Sequence, residues 1–405
     1  MTGKTKPTLC LSDLCNPIGV DKESYIQALY QVLLRRDPDQ SGFERLLARD
    51  DIQNFLPEIL ASQEFRKLAR TPAYVAAAPL AVSNRTRVLL FGAYGNGNLG
   101  DSIQASSLAR AVRFIRPDID VWACSAMPAP YPFQYHRTLP SDAILKPALV
   151  NSFDLLLIGG GGLLSHPHDP LTDPKWQAML QVPVAFIGIG AEESVAERSE
   201  ILVKKAAYVS ARDEQSIAAL RRFAREVNFI PDPVLSDVMY LQNQIPSQLR
   251  PDSRRLWVLK YINTPSFRIL CDHILRNKDA VCFVEPHLDF GIFAHIPTAK
   301  PIYCIDDIIP LIDWADIVFS MRYHGCILAM LRGKPAFGFT EMKSMSLLRR
   351  YENESLFFKE LVYPLNDPIK YHPPEIKLAD DRMIFLRGLS KALAVAHTDD
   401  ARERR

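Results

Sequence analysis

The chain has 405 residues, 48% of them hydrophobic, so it is long and apolar enough to bury more than one core, and we expect two or three domains. Its 48 basic and 46 acidic residues leave a formal net charge of +2, which argues against nucleic-acid binding through a broad basic field. No run of about 18 apolar residues predicts a membrane-spanning helix.

The N-terminal part of the chain predicts a small helical unit. Residues 1–20 show no periodicity and lack the apolar centre of a signal peptide, so we expect them to be disordered. Between residues 21 and 70, apolar side chains recur at helical spacing, as at Tyr25, Leu29 and Val32. Residues 71–86 are rich in alanine and proline and predict a linker. We expect a cytoplasmic protein, either free or peripheral to the inner face of the membrane.

Two stretches of the helical unit resemble a small domain of unknown function that is appended to many bacterial surface-glycan proteins. They are Ala28-Leu-Tyr-Gln-Val-Leu-Leu-Arg-Arg-Asp-Pro-Asp-Gln-Ser-Gly-Phe43 and Ala61-Ser-Gln-Glu-Phe-Arg66. Because the unit carries no catalytic cluster, we expect it to contact a scaffold or a membrane surface, or else to cap the fold.

The seven cysteines are scattered and contain no Cys-x-x-Cys pair. They predict reduced thiols in a cytosolic chain, and neither a metal site nor a cofactor site is expected. Cys326 follows the polar residues of a strand-to-helix turn and could be a nucleophile. Its apolar neighbours favour a buried thiol instead.

A strand, a glycine-rich loop and a helix follow the linker and open an α/β domain at residues 87–245. The strand is Arg87–Phe91, and Asp101 stands where the helix starts. Asp101 can cap the helix or act in catalysis, and spacing alone favours the cap. Asn98, on the same loop, is a candidate contact for an acceptor. The loop also satisfies Gly-x-Gly-x-x-Gly, but a carboxylate at the helix start would repel a pyrophosphate, so a dinucleotide site is not predicted.

A second strand of this domain, Asp154 to Ile158, runs into four consecutive glycines. Each glycine costs about 0.5–1 kcal/mol in regular structure. We therefore expect Gly160, Gly161 and Gly162 to permit close approach of a ligand or of a facing domain. The nearby His166 and His168 are spaced as a metal pair, but prolines interrupt them, and they are predicted to be loop residues.

A third strand, starting at Tyr208, ends in Arg212 beside a predicted helix start. A guanidinium there can donate two parallel hydrogen bonds to an anion, although a surface ion pair with Asp213 or Glu214 is the alternative. Asp232 stands between two prolines and is expected to hold a turn.

A second α/β domain is predicted at residues 246–395, with a helix at its end and a disordered tail at 396–405. Glu285 and His287 follow one of its strands and are secondary candidates for a cleft between the domains. The strand Ile317 to Phe319 runs into a turn that carries Arg322 and His324 and then into an apolar helix. Such turns lie at the carboxyl ends of strands, where α/β proteins bind ligands. Lys343 follows the next strand and is a further secondary candidate.

Four blocks within about residues 87–345 resemble the signature of the polysaccharide pyruvyl transferases. They are Gly97-Asn-Leu-Gly-Asp-Ser-Ile103, Gly159-Gly-Gly-Gly-Leu-Leu164, Ser210-Ala-Arg-Asp-Glu-Gln-Ser216 and Ser320-Met-Arg-Tyr-His-Gly325, the last followed by Gly333-Lys-Pro335. The resemblance implies an α/β fold with two facing Rossmann-like domains, similar to B-type glycosyltransferases, behind the small helical unit.

The resemblance also implies an activity, the transfer of the enolpyruvyl unit of phosphoenolpyruvate to two hydroxyls of a saccharide acceptor, free or lipid-linked. Arg212, Arg322 and the glycine loop would hold the donor, His324 would be the general acid and later base, and Asp101 would orient or deprotonate the acceptor. Histidine suits both proton transfers because its side chain titrates near neutral pH. A nucleotide-sugar glycosyltransferase and a non-catalytic glycan-binding or scaffolding protein remain the alternatives.

Overall fold

A computed structural model describes residues 21–30, 38–51, 55, 58–59, 85–126, 137–165, 170–237, 240–241, 253–361, 371 and 375–397. The predicted disordered segment 1–20, most of the predicted linker, and residues 398–405 of the predicted disordered tail lie outside these residues. Residues 396 and 397 of that tail are described and belong to a short 3-10 helix, Val395–His397, so the prediction of disorder is wrong for them. Of the predicted N-terminal helices, two are described, α1 (Lys22–Leu29) and α2 (Gln40–Leu47).

The first α/β domain is built on a sheet of seven strands. They are β1 (Arg87–Phe91), β2 (Asp120–Ser125), β3 (Arg137–Pro140), β4 (Leu155–Gly159), β5 (Val184–Ile189), β6 (Tyr208–Ala211) and β7 (Asn228–Phe229). The order across the sheet is β3-β2-β1-β4-β5-β6-β7, and every neighbouring pair is parallel. The continuous apolar runs of β4 and β5 are buried along their whole length, as expected for a parallel sheet covered on both faces.

Helices connect these strands. They are α3 (Leu99–Ile115), α4 (Pro147–Val150), α5 (Pro174–Met179), α6 (Glu193–Arg198), α7 (Glu200–Lys205) and α8 (Glu214–Leu220). α3 begins at an N-cap, Asn98, whose side-chain oxygen accepts from the backbone N–H of Gly100. A short 3-10 helix, Pro233–Ser236, ends this part of the domain.

The second α/β domain contains six parallel strands. They are β8 (Arg255–Leu259), β9 (Ala280–Phe283), β10 (Lys300–Pro301), β11 (Ile317–Ser320), β12 (Ala336–Phe339) and β13 (Phe357–Phe358), in the order β10-β9-β8-β11-β12-β13. Its helices are α9 (Pro265–Asn277), α10 (Pro286–Asp289), α11 (Ile305–Trp314), α12 (Tyr323–Leu331) and α13 (Met342–Arg350). The two parallel sheets with their helices confirm the predicted two-domain α/β fold.

The last helix, α14 (Glu375–Ala394), packs on the first domain. Its buried residues Phe385, Leu389 and Leu393 share a core with β1 and β4. The sequence predicts this helix as part of the second domain. Leu378 near its start does lie in that domain's core, but most of the buried face lies in the core of the first domain, which corrects the prediction. The sequence shows only that the helix has an apolar face, whereas the choice of sheet depends on where the chain returns.

The two domains meet at the start of α3. The backbone N–H of Leu99 donates to the carbonyl of Val284, just beyond β9, at 3.0 Å. Leu99 and Ile103 of α3, together with Val234 and Leu235 of the 3-10 helix, lie in the hydrophobic core of the second domain. The amino end of α3 is therefore fixed by both domains.

A buried carboxylate on α14 joins that helix to the second domain. Asp381 is fully buried and accepts hydrogen bonds from Arg350 Nε at 2.8 Å and from the Tyr351 hydroxyl at 2.6 Å, both on or just after α13. Asp381→Ala leaves the buried Tyr351 hydroxyl without its acceptor. The free energy of unfolding should fall by at least about 1–3 kcal/mol, as measured by denaturant titration.

The matched control is Asp380→Ala, which changes the same residue type at the neighbouring, exposed position of α14. It should change the free energy of unfolding by less than about 0.5 kcal/mol. Equal effects of the two substitutions would show that the Asp381 contacts do not stabilise the junction.

Candidate functional site between the two sheets

Both sheets present a topological switch point to the interface between the domains. In the first sheet the strand order reverses between β1 and β4, and in the second between β8 and β11. Ligands of open α/β sheets bind in the crevice outside such points. The loop before α3 and the glycine loop after β4 lie at the first point, and the turn that carries Arg322 lies at the second.

His324 lies at the junction of the two domains. It is the second residue of α12, and its ring contacts the first turn of α3, where a Cβ built on Gly100 would lie 2.0 Å from Nδ1. Its Nε2 is 3.5 Å from Oδ2 of Asp232, longer than a normal hydrogen bond. The ring retains a small exposed fraction, 13% of the side chain, through which a ligand can approach.

The fully buried carboxylate of Asp232 contacts residues of both domains at this junction. Its Oδ2 accepts from Gln104 Nε2 at 2.5 Å and from Arg212 NH1 at 3.3 Å, while Oδ1 accepts from the backbone of Val234 and caps the 3-10 helix. Burial alone would raise the pKa of Asp232, but His324 and Arg212 outweigh it and hold that pKa below its usual value. Asp232 is therefore anionic at neutral pH and lies beside the imidazole.

Arg212 follows β6 and is almost completely buried. Its guanidinium carbon lies 4.9 Å from the centroid of the Tyr323 ring, which comes from the other domain. On its other side it lies close to the backbone of Gly190, where a built Cβ would be 2.9 Å from NH2. Arg212 also forms an ion pair with Asp232 and a longer one, at 3.9 Å, with Asp213. Arg212 thus spans the interface as a cation fixed in one orientation.

Arg322, the N-cap of α12, is held by two carboxylates of the second domain. NH1 lies 2.5 Å from Oε2 of Glu285, and NH2 lies 2.5 Å from Oδ2 of Asp289. Asp289 also accepts from the backbone N–H of Tyr261 at 2.9 Å. Burial raises the pKa of both Glu285 and Asp289, against the effect of the guanidinium.

Asn98 connects this cluster to the first domain. Its side-chain oxygen accepts from the Gly100 N–H at 2.8 Å, and its Nδ2 lies 3.4 Å from Glu285 Oε2. Asn98, not Asp101, therefore caps α3, which corrects the reading of Asp101 as the cap. The Asp101 carboxylate instead accepts from Asn96 Nδ2 at 2.8 Å. This leaves the catalytic reading of Asp101 as a prediction.

The glycine loop packs on side chains of its own domain. Gly160 and Gly161 have φ values of +74° and +75°, and a Cβ built on Gly160 would lie 2.9 Å from Gln104. Built on Gly161 it would lie 3.5 Å from Asp101 Oδ1, and on Gly162 3.9 Å from Arg212 NH2. The loop thus lies close to α3 and Arg212 of its own domain, and the close approach of a ligand or of the facing domain that the sequence predicts stays a prediction.

The secondary candidates lie at the edges of the site. His287 Nε2 is 4.0 Å from Glu285 Oε1. Lys343 Nζ is 3.2 Å from Glu341 Oε2 and 5.8 Å from the Tyr323 ring centroid, so two cations flank that ring. His166 and His168 lie outside the described residues. Among the residues that the structure describes, no group of three or more His, Cys, Asp and Glu side chains is arranged to hold a metal ion.

Three buried side-chain nitrogens converge on the interface without a hydrogen-bond partner in the described part of the chain. They are Arg212 Nε, Arg322 Nε and His324 Nε2. A buried polar group left unpaired costs about 1–3 kcal/mol, and in native proteins it commonly marks a binding or catalytic site. By contrast, the fully buried Cys326 thiol has its pKa raised to about 12 by burial and is not available as a nucleophile near neutral pH.

Sequence reasoning missed part of this site. Asp232 was predicted to hold a turn, which it does, but its contacts with Arg212 and His324 were not foreseen. The available signal was its position after a strand end, the same signal that identified Arg212. Asp289 and Tyr323 carried no distinguishing local pattern.

A family model described as polysaccharide pyruvyl transferase matches residues 98–341, well over half of the chain. No curated protein sequence is significantly similar to the chain. The family match confirms the resemblance of the four sequence blocks. Apart from Gly97, all of their residues lie within the matched range.

Solved structures with a similar course of the chain include sugar-nucleotide enzymes. A putative UDP-N-acetylglucosamine 2-epimerase from Listeria monocytogenes is 11% identical, with a TM-score of 0.49 over 79% of this chain and 98% of that one. S. aureus MnaA, solved with UDP, is 12% identical, with a TM-score of 0.47 over 79% and 94%. The glycosyltransferase SnogD from Streptomyces nogalater is 11% identical, with a TM-score of 0.40 over 77% and 98%. At these identities the similarity concerns the fold alone.

Gly100 provides a direct test of the placement of His324. Gly100→Ala retains the helical backbone of α3, but its Cβ would overlap the imidazole, so the ring must move. We expect the His324 ring resonances to shift in NMR spectra and any activity of the site to fall on the order of 10²-fold, as for a misplacement of about 1 Å. The thermal stability should change little, because alanine favours the helix.

The control is Arg113→Ala, at an exposed position of the same helix, which should leave the resonances and the activity unchanged. Unchanged His324 resonances in Gly100→Ala would refute the close packing of the ring against α3.

Proposed function

The chain belongs to the polysaccharide pyruvyl transferase family, and from that premise we propose that it transfers the enolpyruvyl group of phosphoenolpyruvate to a sugar of a bacterial surface polysaccharide or its precursor. The product is a cyclic pyruvate ketal, and phosphate is released. The observation that carries the proposal is that two arginines and a histidine, brought to the interface by both domains, each have a buried nitrogen without a hydrogen-bond partner among the described residues.

The charges of the site suit this donor. Phosphoenolpyruvate carries a phosphate and a carboxylate, and Arg212 and Arg322 come to the interface from opposite domains. The amino end of α12, a helix of nine residues, adds backbone N–H groups that favour an anion. We propose that Arg212 and Arg322 hold the two anionic groups and that the glycine loop after β4 lets the donor approach.

The reaction needs a proton donor at the methylene carbon of the donor. We propose that the His324 imidazolium gives this proton, which leaves an oxocarbenium-like centre at the adjacent carbon. The first sugar hydroxyl attacks that carbon and passes its proton to Asp101 or to the now neutral His324. The bond from carbon to the phosphate oxygen then breaks, and phosphate leaves with the electron pair. The second hydroxyl closes the ketal and passes its proton to whichever of Asp101 and His324 is still unprotonated.

Asp232 supports this role of the histidine. Because His324 and Arg212 keep it anionic, it holds the ring orientation through both proton transfers. Asp101 and Asn98, at the start of α3, are proposed to contact the acceptor, with Glu285, His287 and Lys343 at the edge of the same space. No cofactor enters this scheme.

We propose that the acceptor is a saccharide, free or lipid-linked, and that the protein works in the cytoplasm or at the inner face of the membrane. None of the helices in the described ranges is both long and apolar enough to cross a membrane. Contact with a membrane or scaffold would then be made by the N-terminal helical unit.

Incubation of the protein with phosphoenolpyruvate and a panel of pyranosides tests the proposal. Release of phosphate together with an acceptor mass increased by a pyruvate ketal would support it. Turnover of a nucleotide sugar instead of phosphoenolpyruvate would indicate a glycosyltransferase. Binding of glycans without turnover of either donor would indicate a glycan-binding or scaffolding protein.

Replacement of His324 should affect the chemistry more than donor binding. His324→Ala and His324→Gln should each lower kcat by roughly 10² to 10⁴-fold, the usual contribution of general acid catalysis, with a smaller effect on the donor Kd. Steady-state kinetics and calorimetric titration provide the two quantities. His273→Ala, on α9 and outside the contacts described above, is the control. Near-normal turnover in both His324 variants would place the acid elsewhere.

The two arginines should act on one donor. Lysine retains the charge but loses the planar pair of donors, so Arg212→Lys and Arg322→Lys should each raise the KM for phosphoenolpyruvate about 10- to 100-fold. The double variant should be non-additive, as expected for residues that share a ligand. Arg332→Lys, which changes a two-pronged pair with Asp313 on the same domain, controls for stability alone. Additive effects would show that the arginines do not share the donor.

A further inference from the structure

Arg322 has both of its terminal nitrogens on carboxylates of its own chain. NH1 is paired with Glu285 and NH2 with Asp289, each at 2.5 Å. One guanidinium between two carboxylates forms a cluster with a formal charge of −1. Such a cluster repels an anionic ligand, although the position of Arg322 at the end of β11 is the one from which a ligand would be bound.

The two carboxylates are held very differently. Asp289 is 1% exposed and uses both oxygens at short distance, Oδ2 with Arg322 and Oδ1 with the Tyr261 N–H at 2.9 Å. Glu285 has only one short contact, the one with Arg322. Its other neighbours are Asn98 at 3.4 Å and His287 at 4.0 Å. Asp289 is thus anchored to the backbone, whereas Glu285 can leave.

The surroundings of Glu285 also favour release of its carboxylate from Arg322 or loss of its charge. The charged or titratable groups that face it are Arg322, Asp289 and His287 on its own domain and Asp101 on α3. Burial raises the pKa of Glu285, and Asp289 and Asp101 add to this effect against Arg322. These effects make the charged form of Glu285 less favourable here than it would be in water.

We infer that Glu285 is an internal occupant of the anion subsite at Arg322, displaced from NH1 when an anionic group of the donor binds, whereas Asp289 stays in place as the positioning residue. The ligand is a phosphate or carboxylate group, and its assignment to the donor rests on the function proposed above. Because Glu285 Oε2 is already 3.4 Å from Asn98 Nδ2, the displaced carboxylate could stay beside the start of α3, where the acceptor is proposed to bind.

A purely structural role for Glu285 predicts the opposite result. If Glu285, like Asp289, only fixed the guanidinium, its neutralisation would weaken anion binding. If it competes with the ligand, its neutralisation strengthens anion binding. The sign of one measurement therefore separates the two roles.

The experiment measures the Kd of inorganic phosphate and of phosphoenolpyruvate by calorimetric titration of the full chain and its variants. Glu285→Gln should bind both anions about 5- to 10-fold more tightly than the unchanged protein, because a neutral amide replaces a charge-assisted partner of Arg322. Asp289→Asn is the matched control and should bind both more weakly. Glu285→Ala, compared at equal thermal stability, guards against a folding defect in the first variant.

The outcomes separate this inference from the proposed activity. Tighter phosphate binding by Glu285→Gln without turnover of phosphoenolpyruvate would support the displaced carboxylate and contradict the proposed donor. Turnover of phosphoenolpyruvate combined with unchanged or weaker anion binding in both Glu285 variants would overturn the inference and leave the activity standing. Absence of phosphate binding in all variants would also overturn the inference.

Discussion

The interface depends on one buried carboxylate, Asp232. Removing a carboxylate from water is costly unless charged or polar partners surround it, and here the partners come from three elements: Gln104 on α3, Arg212 after β6 and His324 on α12. Two of these elements belong to the first domain and one belongs to the second. The contacts of this one carboxylate therefore hold the facing loops of the two domains in place. The geometry of His324 is a consequence of that requirement.

The sheet topology explains why these particular residues can meet. Each sheet reverses its strand order once, and the turns on either side of each reversal point out of the same edge. These edges of the two sheets face each other. The glycine-rich loop and the start of α3 from the first domain therefore lie against the turn of the second domain that carries Arg322. Tyr94, whose buried hydroxyl donates to the Gly159 carbonyl at 2.6 Å, holds the first of these loops in place. These contacts hold the orienting groups of the site in place, whereas the Glu285 carboxylate has a single short contact, the one with Arg322.

The two arginines of the site differ in their charge environment. Arg212 faces the fully buried Asp232 and, more distantly, Asp213, and it is covered by the Tyr323 ring. Arg322 faces two carboxylates at short distance. An anion bound between the two arginines would contact Arg212 on one side. On the other side it would contact Arg322, whose terminal nitrogens are paired with Glu285 and Asp289. If the proposed donor binds there, its binding and the release of Glu285 would be one exchange.

The sequence by itself determined most of the structural elements of this protein and the candidate residues of its site. Continuous apolar runs predicted the parallel strands at Arg87–Phe91 and Ile317–Phe319, and a third strand was predicted before Arg212. The turns after these strands supplied Asp101, Arg212, Arg322 and His324 as candidates, because strand ends in such sheets bear the functional side chains. Local pattern could not decide between Asn98 and Asp101 as the cap, nor assign α14 to a sheet. It could not show that Asp232 pairs with His324 across 92 positions of sequence, that Asp289 anchors Arg322, or that Tyr323 covers Arg212. Those contacts were decided by the tertiary structure alone, because periodicity reports which face of an element is buried, whereas the partner of a buried charge depends on which distant element the fold places beside it.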